Sequence, residues 1–217
     1  MRNAFHDELD SMRTDLLRMA QLVEGAMGKA SQALLGADLT LAEAVIAEDV
    51  AIDDIQHDLD ARTINIMARQ QPVASDLRTL VMGLRMSADL ERMGDLADHI
   101  AKLARMRFPS TAVPPELTMT IDEMGKCAGR IINKMSSVIE HRDIVRALEI
   151  EVDDDEMDIL HRKIISTLLD DNWSHGIETA IDMTLLARYY ERCADHAVSI
   201  ARRVYFLVTG EYSPIRA

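Results

Sequence analysis

The sequence predicts an all-α protein of two tandem, pseudo-symmetric three-helix bundles, six long helices in all. Three observations carry that prediction. Apolar residues recur at spacings of three and four over long stretches, with no alternating strand pattern of any length. Breakers are scarce, with 9 Gly and 5 Pro in 217 residues, while 14 Met and 48% hydrophobic content supply a helical core. The stretch ERMGDLADHIA, Glu91 to Ala101, returns one hundred residues later as ERCADHAVSIA, Glu191 to Ala201, identical at six of eleven positions. Self-similarity at that distance is the mark of a duplicated unit.

The first helix spans about residues 5 to 35, with Phe5, Leu9, Met12, Leu16, Met19, Val23, Ala26, Ala30 and Ala33 on one stripe. Gly36-Ala37-Asp38 ends it, and Asp38 or Thr40 suits the cap of the next. The second helix runs from about Leu41 to Arg69 on Val45, Ile52, Ile55, Leu59 and Ile66. Pro72 suits the first turn of the third, which carries Leu77, Leu84, Leu90, Met93, Ala97 and Ile100 and stops before Pro109. Asp76 in its opening turns complements the helix dipole. After a linker the pattern restarts, with helices near 116–140, 143–170 and 176–208. The division is residues 1–108 for the first bundle, 109–115 for a Pro-rich linker and 116–217 for the second bundle.

Composition narrows the function. The net charge is -13 and aromatics are only 4%, which argues against nucleic acid and for cations or basic partner surfaces. No apolar run approaches the length of a membrane span, and no signal-type segment follows Met1, so a cytoplasmic chain without a transmembrane segment is expected. Cys127 and Cys193 fit reduced thiols.

Acidic pairs at helical i, i+4 spacing stand out. Glu91 and Asp95 are neighbours on the third helix, and Glu191 and Asp195 on the sixth. Like charges so placed cost a few tenths of a kcal/mol. The second helix of each half carries its own pair, Asp49/Asp53 and Asp154/Asp158. Ile52 matches Met157 and Leu59 matches Ile164, so both pairs flank the apolar seam in the same way. Each half could thus bring four carboxylates from two neighbouring helices to one outer surface. Hard cations take oxygen ligands in such clusters. The local density is high: residues 149–158 and residues 43–60 each hold seven acids and no Lys or Arg. One pair alone reads as a solvated helix face; repetition on corresponding helices favours metal.

Other residues read as structural. Arg92 and Arg192 suit ion pairs with acids of a neighbouring helix, Gly94 and Ala194 a close helix approach, and Cys193, matching Met93, a core thiol. His57 and His161 each follow an Asp by three residues, as in di-iron bundles, but do not align with each other. His99 and His196 are also unmatched, and each could add a nitrogen ligand beside its pair. No phosphate loop, nucleophile elbow or catalytic constellation is present. A carboxylate-bridged di-iron enzyme would need its acids pointing into the bundle, and a metal-free helical scaffold is the other alternative.

The doubled ER-x-x-D helix, the stretch QQPVASDLR (Gln70 to Arg78) and the opening FHDELDSMR (Phe5 to Arg13) resemble the PhoU family of bacterial phosphate-uptake regulators. The likeness covers about residues 4–208, with Cys193 a mild departure from the family's small-residue pattern. The resemblance implies two pseudo-symmetric three-helix bundles, often as a homodimer. It also implies E/D-x-x-x-D motifs that bind iron, manganese, magnesium or zinc. By match these are Asp49, Asp53, Glu91 and Asp95 in the first half and Asp154, Asp158, Glu191 and Asp195 in the second. It further implies a non-enzymatic repressor of the phosphate-starvation response. Such a protein links the ATPase of the phosphate ABC transporter to a membrane sensor histidine kinase, and sits at the inner face of the membrane through those partners.

Overall fold

A computed structural model describes residues 2–213, with side chains described from Phe5 onward; the outer bounds of the two expected bundles, Met1 and Ala217, lie outside the described residues. The helices are α1 (Arg2–Gly36), α2 (Leu39–Glu48), α3 (Val50–Gln70), α4 (Ala74–Arg107), α5 (Thr118–His141), α6 (Ile144–Leu168) and α7 (Gly176–Thr209). No strand occurs among the described residues.

Local chemistry sets the ends. The Asp38 carboxylate accepts from the Leu41 N–H at 3.0 Å and so caps α2. Asp143 caps α6, accepting from Val145 and Arg146 at 3.0 and 3.1 Å. Ala37, Gln71 and Arg142 take left-handed conformations that stop α1, α3 and α5. Asp76 lies in the first turn of α4 as expected. Pro72 does not: it sits in the connection before α4, where its ring closes no helical turn. Leu77, expected on the α4 stripe, is exposed, while its neighbour Arg78 packs over the Phe206 ring of α7.

The expected second helix is interrupted at Asp49. The Ile52 N–H donates to the Asp49 carbonyl at 2.9 Å, an i to i+3 bond, while the i+4 bond from Asp53 stretches to 3.4 Å. One tightened turn thus separates α2 from α3. The corresponding helix of the second half, α6, is unbroken.

Helix α1 packs on α4 with α2 and α3 outside them, and α5 packs on α7 with α6 outside. The halves meet through α1 against α5 and α4 against α7, and their buried side chains form one contiguous cluster. Tyr190, fully buried on α7, reaches across to share a hydrogen bond with Ser31 of α1 at 2.8 Å. Gly125 of α5 makes room, since a Cβ there would stand 3.0 Å from the Ser31 hydroxyl. Helices α4 and α7 run antiparallel: Asp89 meets His196 and Arg203, whereas Arg107 meets Asp182 and Glu178. That register brings Met93 opposite the neighbourhood of Cys193, its counterpart in the duplication.

Candidate metal-binding carboxylate clusters

In the first half the carboxylates of α3 and α4 come together at the Asp49 break. Asp49, Asp53, Glu91 and Asp95 are all half-buried, so they sit between helix and solvent rather than on an open face. Burial pushes the Asp49 carboxyl up to about 6, with Asp98, Asp53 and Asp95 adding repulsion and Lys102 opposing it. Glu91 is raised too, by burial first and then by Asp95 and Asp53, against Arg92 and His57. Gly94 permits the approach. A Cβ there would stand 2.8 Å from Ile52 Cδ1 and 3.2 Å from Asp49 Oδ1.

Asp98 joins this group, and the sequence pattern gave no sign of it. It is 3% exposed, pairs through Oδ2 with Lys102, and leaves Oδ1 buried with no hydrogen-bond partner. Such an atom is costly unless something satisfies it. Its counterpart in the second half is Val198, so the repeat hides it; only its place three residues after Asp95 hinted at a shared face.

In the second half Asp154 is half-buried, and Asp158 and Asp195 are exposed. Burial pushes Asp154 up to about 7, reinforced by Asp195, Asp158, Asp155 and Glu191.

The placement of bases is selective. Several flanking acids are paired, Glu48 with Lys29, Asp58 with Arg62, Asp153 with Lys134, Glu156 with Arg130 and Glu151 with Arg202, whereas Asp54 and Asp155 make no ion pair among the described residues. Among the described residues Asp49, Asp53, Asp154, Asp158 and Asp195 have no ion-pair partner. Asp95 accepts from Arg92 at 2.7 Å, and Glu191 from Arg188 at 2.7 Å. Arg92 therefore bonds along its own helix, not to the neighbouring helix its position led us to expect, and Arg192 makes no ion pair among the described residues.

The donor set fits a hard cation: four carboxylates per half, a buried unpartnered oxygen at Asp98 and mutual repulsion that a positive charge would relieve. Among the described residues no three donor side chains yet stand close enough to hold one ion. Gripping one would turn Asp95 away from Arg92 and Glu191 away from Arg188. The acids flank the core, whose nearest positions are filled by Ile52, Leu90, Met93 and Ala97. They do not line its interior as a di-iron bundle requires.

His57 is exposed near Glu91, and His161 is half-buried. His99 and His196 turn toward the α4/α7 boundary instead of the pairs. His99 bonds the Asp95 carbonyl and packs its ring 5.2 Å from Tyr189, and His196 bonds Asp89 at 3.1 Å. Cys193 is a core thiol, pushed up to about 12 by burial, and Cys127 is also buried.

The family model described as the PhoU domain matches this chain twice, over residues 16–104 and 121–204. The "Phosphate-specific transport system accessory protein PhoU homolog 2" of Mycobacterium tuberculosis is 44% identical, covering 98% of this chain and 100% of its own length. Homolog 1 of Mycobacterium leprae is 43% identical over 98% of this chain and 96% of its own. The crystal structure of PhoU from Pseudomonas aeruginosa superposes with a TM-score of 0.86 at 29% identity, covering 95% of this chain and 100% of that one. The phosphate transport system regulatory protein PhoU of Streptococcus pneumoniae gives 0.84 at 27% identity, covering 97% and 100%.

Proposed function

This chain belongs to the PhoU family, and from that premise we propose that it is a metal-binding regulatory adaptor of phosphate-specific transport. In this reading it represses the phosphate-starvation response. It does so as a homodimer that connects the phosphate ABC transporter ATPase with a membrane sensor histidine kinase. The relatives' names, accessory and regulatory proteins of phosphate transport, support the regulatory part and a non-enzymatic role. No helix among the described residues is long and apolar enough to cross a membrane.

The observation that carries the metal part is the selective pairing of charges. Five of the eight matched positions are left without a base among the described residues, while several acids near them, Glu48, Asp58, Glu151, Asp153 and Glu156, are paired with Lys or Arg. Asp49, Asp53, Glu91, Asp95 and Asp98 would hold a cation in the first half, and Asp154, Asp158, Glu191 and Asp195 in the second. A bound iron, manganese, magnesium or zinc ion supplies positive charge there. The chain's own residues position it: Gly94 admits Asp49 against α4, and Ile52 closes the apolar side. Neutralised clusters present a less repulsive, fixed surface to a partner protein.

Elemental analysis of the untagged protein tests this beside a variant with Glu91→Gln, Asp95→Asn, Glu191→Gln and Asp195→Asn. Metal in the wild type, lost in a variant that keeps its helical spectrum, is the expected result. A wild type that stays metal-free after incubation with manganese, iron, zinc and magnesium would end the metal reading. A metal-dependent change in capture of the transporter ATPase tests the adaptor step separately.

A further inference from the structure

The antiparallel crossing of α4 and α7 has a second consequence. The two helices are counterparts in the duplication and meet near the pseudo-two-fold axis. Arg92 and Arg192, the Arg of each ER-x-x-D copy, both lie near that crossing. They line the same open cleft of about 470 Å³. Arg188, one turn before Arg192, joins them, with His99, Tyr189 and His196 on the walls and Asp95 the one acidic lining residue.

This is an unusual place for so much positive charge. The chain carries -13 overall, with acids enough to pair every base. Arg192 nevertheless has no carboxylate within ion-pair distance among the described residues. Three guanidinium groups gathered on one cleft repel one another, and an anion among them would relieve that repulsion. Arg92 holds two carboxylates on its own helix, Asp95 at 2.7 Å and Glu91 at 3.5 Å, and Arg188 holds Glu191 through Nη1, so each guanidinium keeps its other amino group for a further acceptor. His196 is half-buried beside Asp89 and anchors the wall between the halves.

We propose that this cleft is a binding site for a phosphoanion, orthophosphate or a short phosphate chain, gripped by Arg92, Arg188 and Arg192. Guanidinium forks match the oxygen geometry of a phosphoryl group and give it two parallel hydrogen bonds each. The cleft volume exceeds a single phosphoryl group, so a chain of several fits as well. The site needs no metal and stands apart from the carboxylate clusters. It meets them at Glu91, Asp95 and Glu191, whose departure toward a cation would free Arg92 and Arg188 for the anion.

The test is calorimetric titration of the full chain, stripped with chelator, at low salt with orthophosphate and with tripolyphosphate as probes. Saturable binding of at least one probe is expected in the submillimolar range, and the tighter probe identifies free phosphate or a condensed chain as the ligand. Arg192→Gln, which breaks no ion pair of the fold, should weaken binding about tenfold or more, and Arg192→Lys should restore only part of it. Arg162→Gln on the exposed face of α6 makes the same change in net charge and should leave binding unaltered. No saturable binding of either probe by the wild type overturns the proposal. Equal weakening by Arg192→Gln and Arg162→Gln also overturns it, since general charge would then be the cause. Loss of metal from the carboxylate clusters in a separate sample would leave this result untouched.

Discussion

Asp154→Asn should stabilise the metal-free protein, although it removes a residue proposed to work. Burial, then Asp195, Asp158, Asp155 and Glu191, raise the Asp154 carboxyl from 3.8 to about 7. At about 1.4 kcal/mol per unit the full shift would be about 4 kcal/mol. The group is only half-buried and water screens it, so about 1 kcal/mol is the expected share. Between about pH 4 and pH 7 the folded chain keeps a proton that the unfolded chain has released, so rising pH favours unfolding. Asn has no proton to lose. The gain from the substitution should therefore be small near pH 4, grow until about pH 7 and stay level above. Thermal unfolding in chelator across that range reads it directly, with about 2–4 °C expected at the plateau for a chain of this size. Added manganese should reverse the order, stabilising the wild type more than the variant. A difference that does not vary with pH, or a variant less stable near pH 8 without metal, would refute the electrostatic argument.

Two other substitutions probe the packing that builds the site. Gly94→Ala places a Cβ against Ile52 and Asp49. Its helix-propensity gain is smaller than the strain, so a net loss of about 1–2 kcal/mol in urea unfolding, with weaker metal retention, is expected. Unchanged metal content and stability would show that α3 does not need that approach. Asp89→Ala strands Arg203 and His196 at the α4/α7 boundary. Burial raises the Asp89 carboxyl, but its bonds to His196 and Arg203 more than offset that and hold it below the usual range. Its contribution is thus present above about pH 4 and lost as pH falls below it. A cost of about 2–3 kcal/mol near neutral pH is expected from denaturant curves, and a cost under about half a kcal/mol would contradict it.

The helices were legible because a single apolar stripe reports a single buried face. Stripe residues from Phe5 to Ala33 and from Leu90 to Ile100 are buried or nearly so, and the expected helices lie within a few residues of observed spans, except that the second is divided into α2 and α3. The stripe says nothing of a second contact surface. Helices α1, α4, α5 and α7 are each covered on two sides because the halves share one core. Asp89 and Asp98 therefore looked like ordinary off-stripe acids, yet both are buried, one against the other half and one beside the Asp49 cluster. The break at Asp49 was equally hidden, since no Gly or Pro marks it; a tightened turn among good helix formers has no compositional signature. Spacing did identify the carboxylate pairs, because i, i+4 adjacency is fixed by the helix itself and needs no tertiary contact.

The two clusters have diverged despite their shared spacing, and the divergence lies in one basic position. Lys102 and Arg202 are equivalent in the duplication. Lys102 pairs with Asp98 on its own helix and lowers the Asp49 carboxyl against the surrounding repulsion. Arg202 is drawn instead to Glu151 of α6 at 2.9 Å, and no base appears among the influences on Asp154. Burial is the largest influence on both carboxyls and like charges add to it, raising Asp154 to about 7 and Asp49 to about 6. The first cluster carries part of its neutralising charge within the chain, together with an extra carboxylate and a glycine that lets the helices close. The second has Ala194 in place of that glycine, Val198 in place of that carboxylate, and no base among the influences on Asp154. A duplicated helix pair thus yields two carboxylate clusters with different charge surroundings, because equivalent basic side chains turn to different partners.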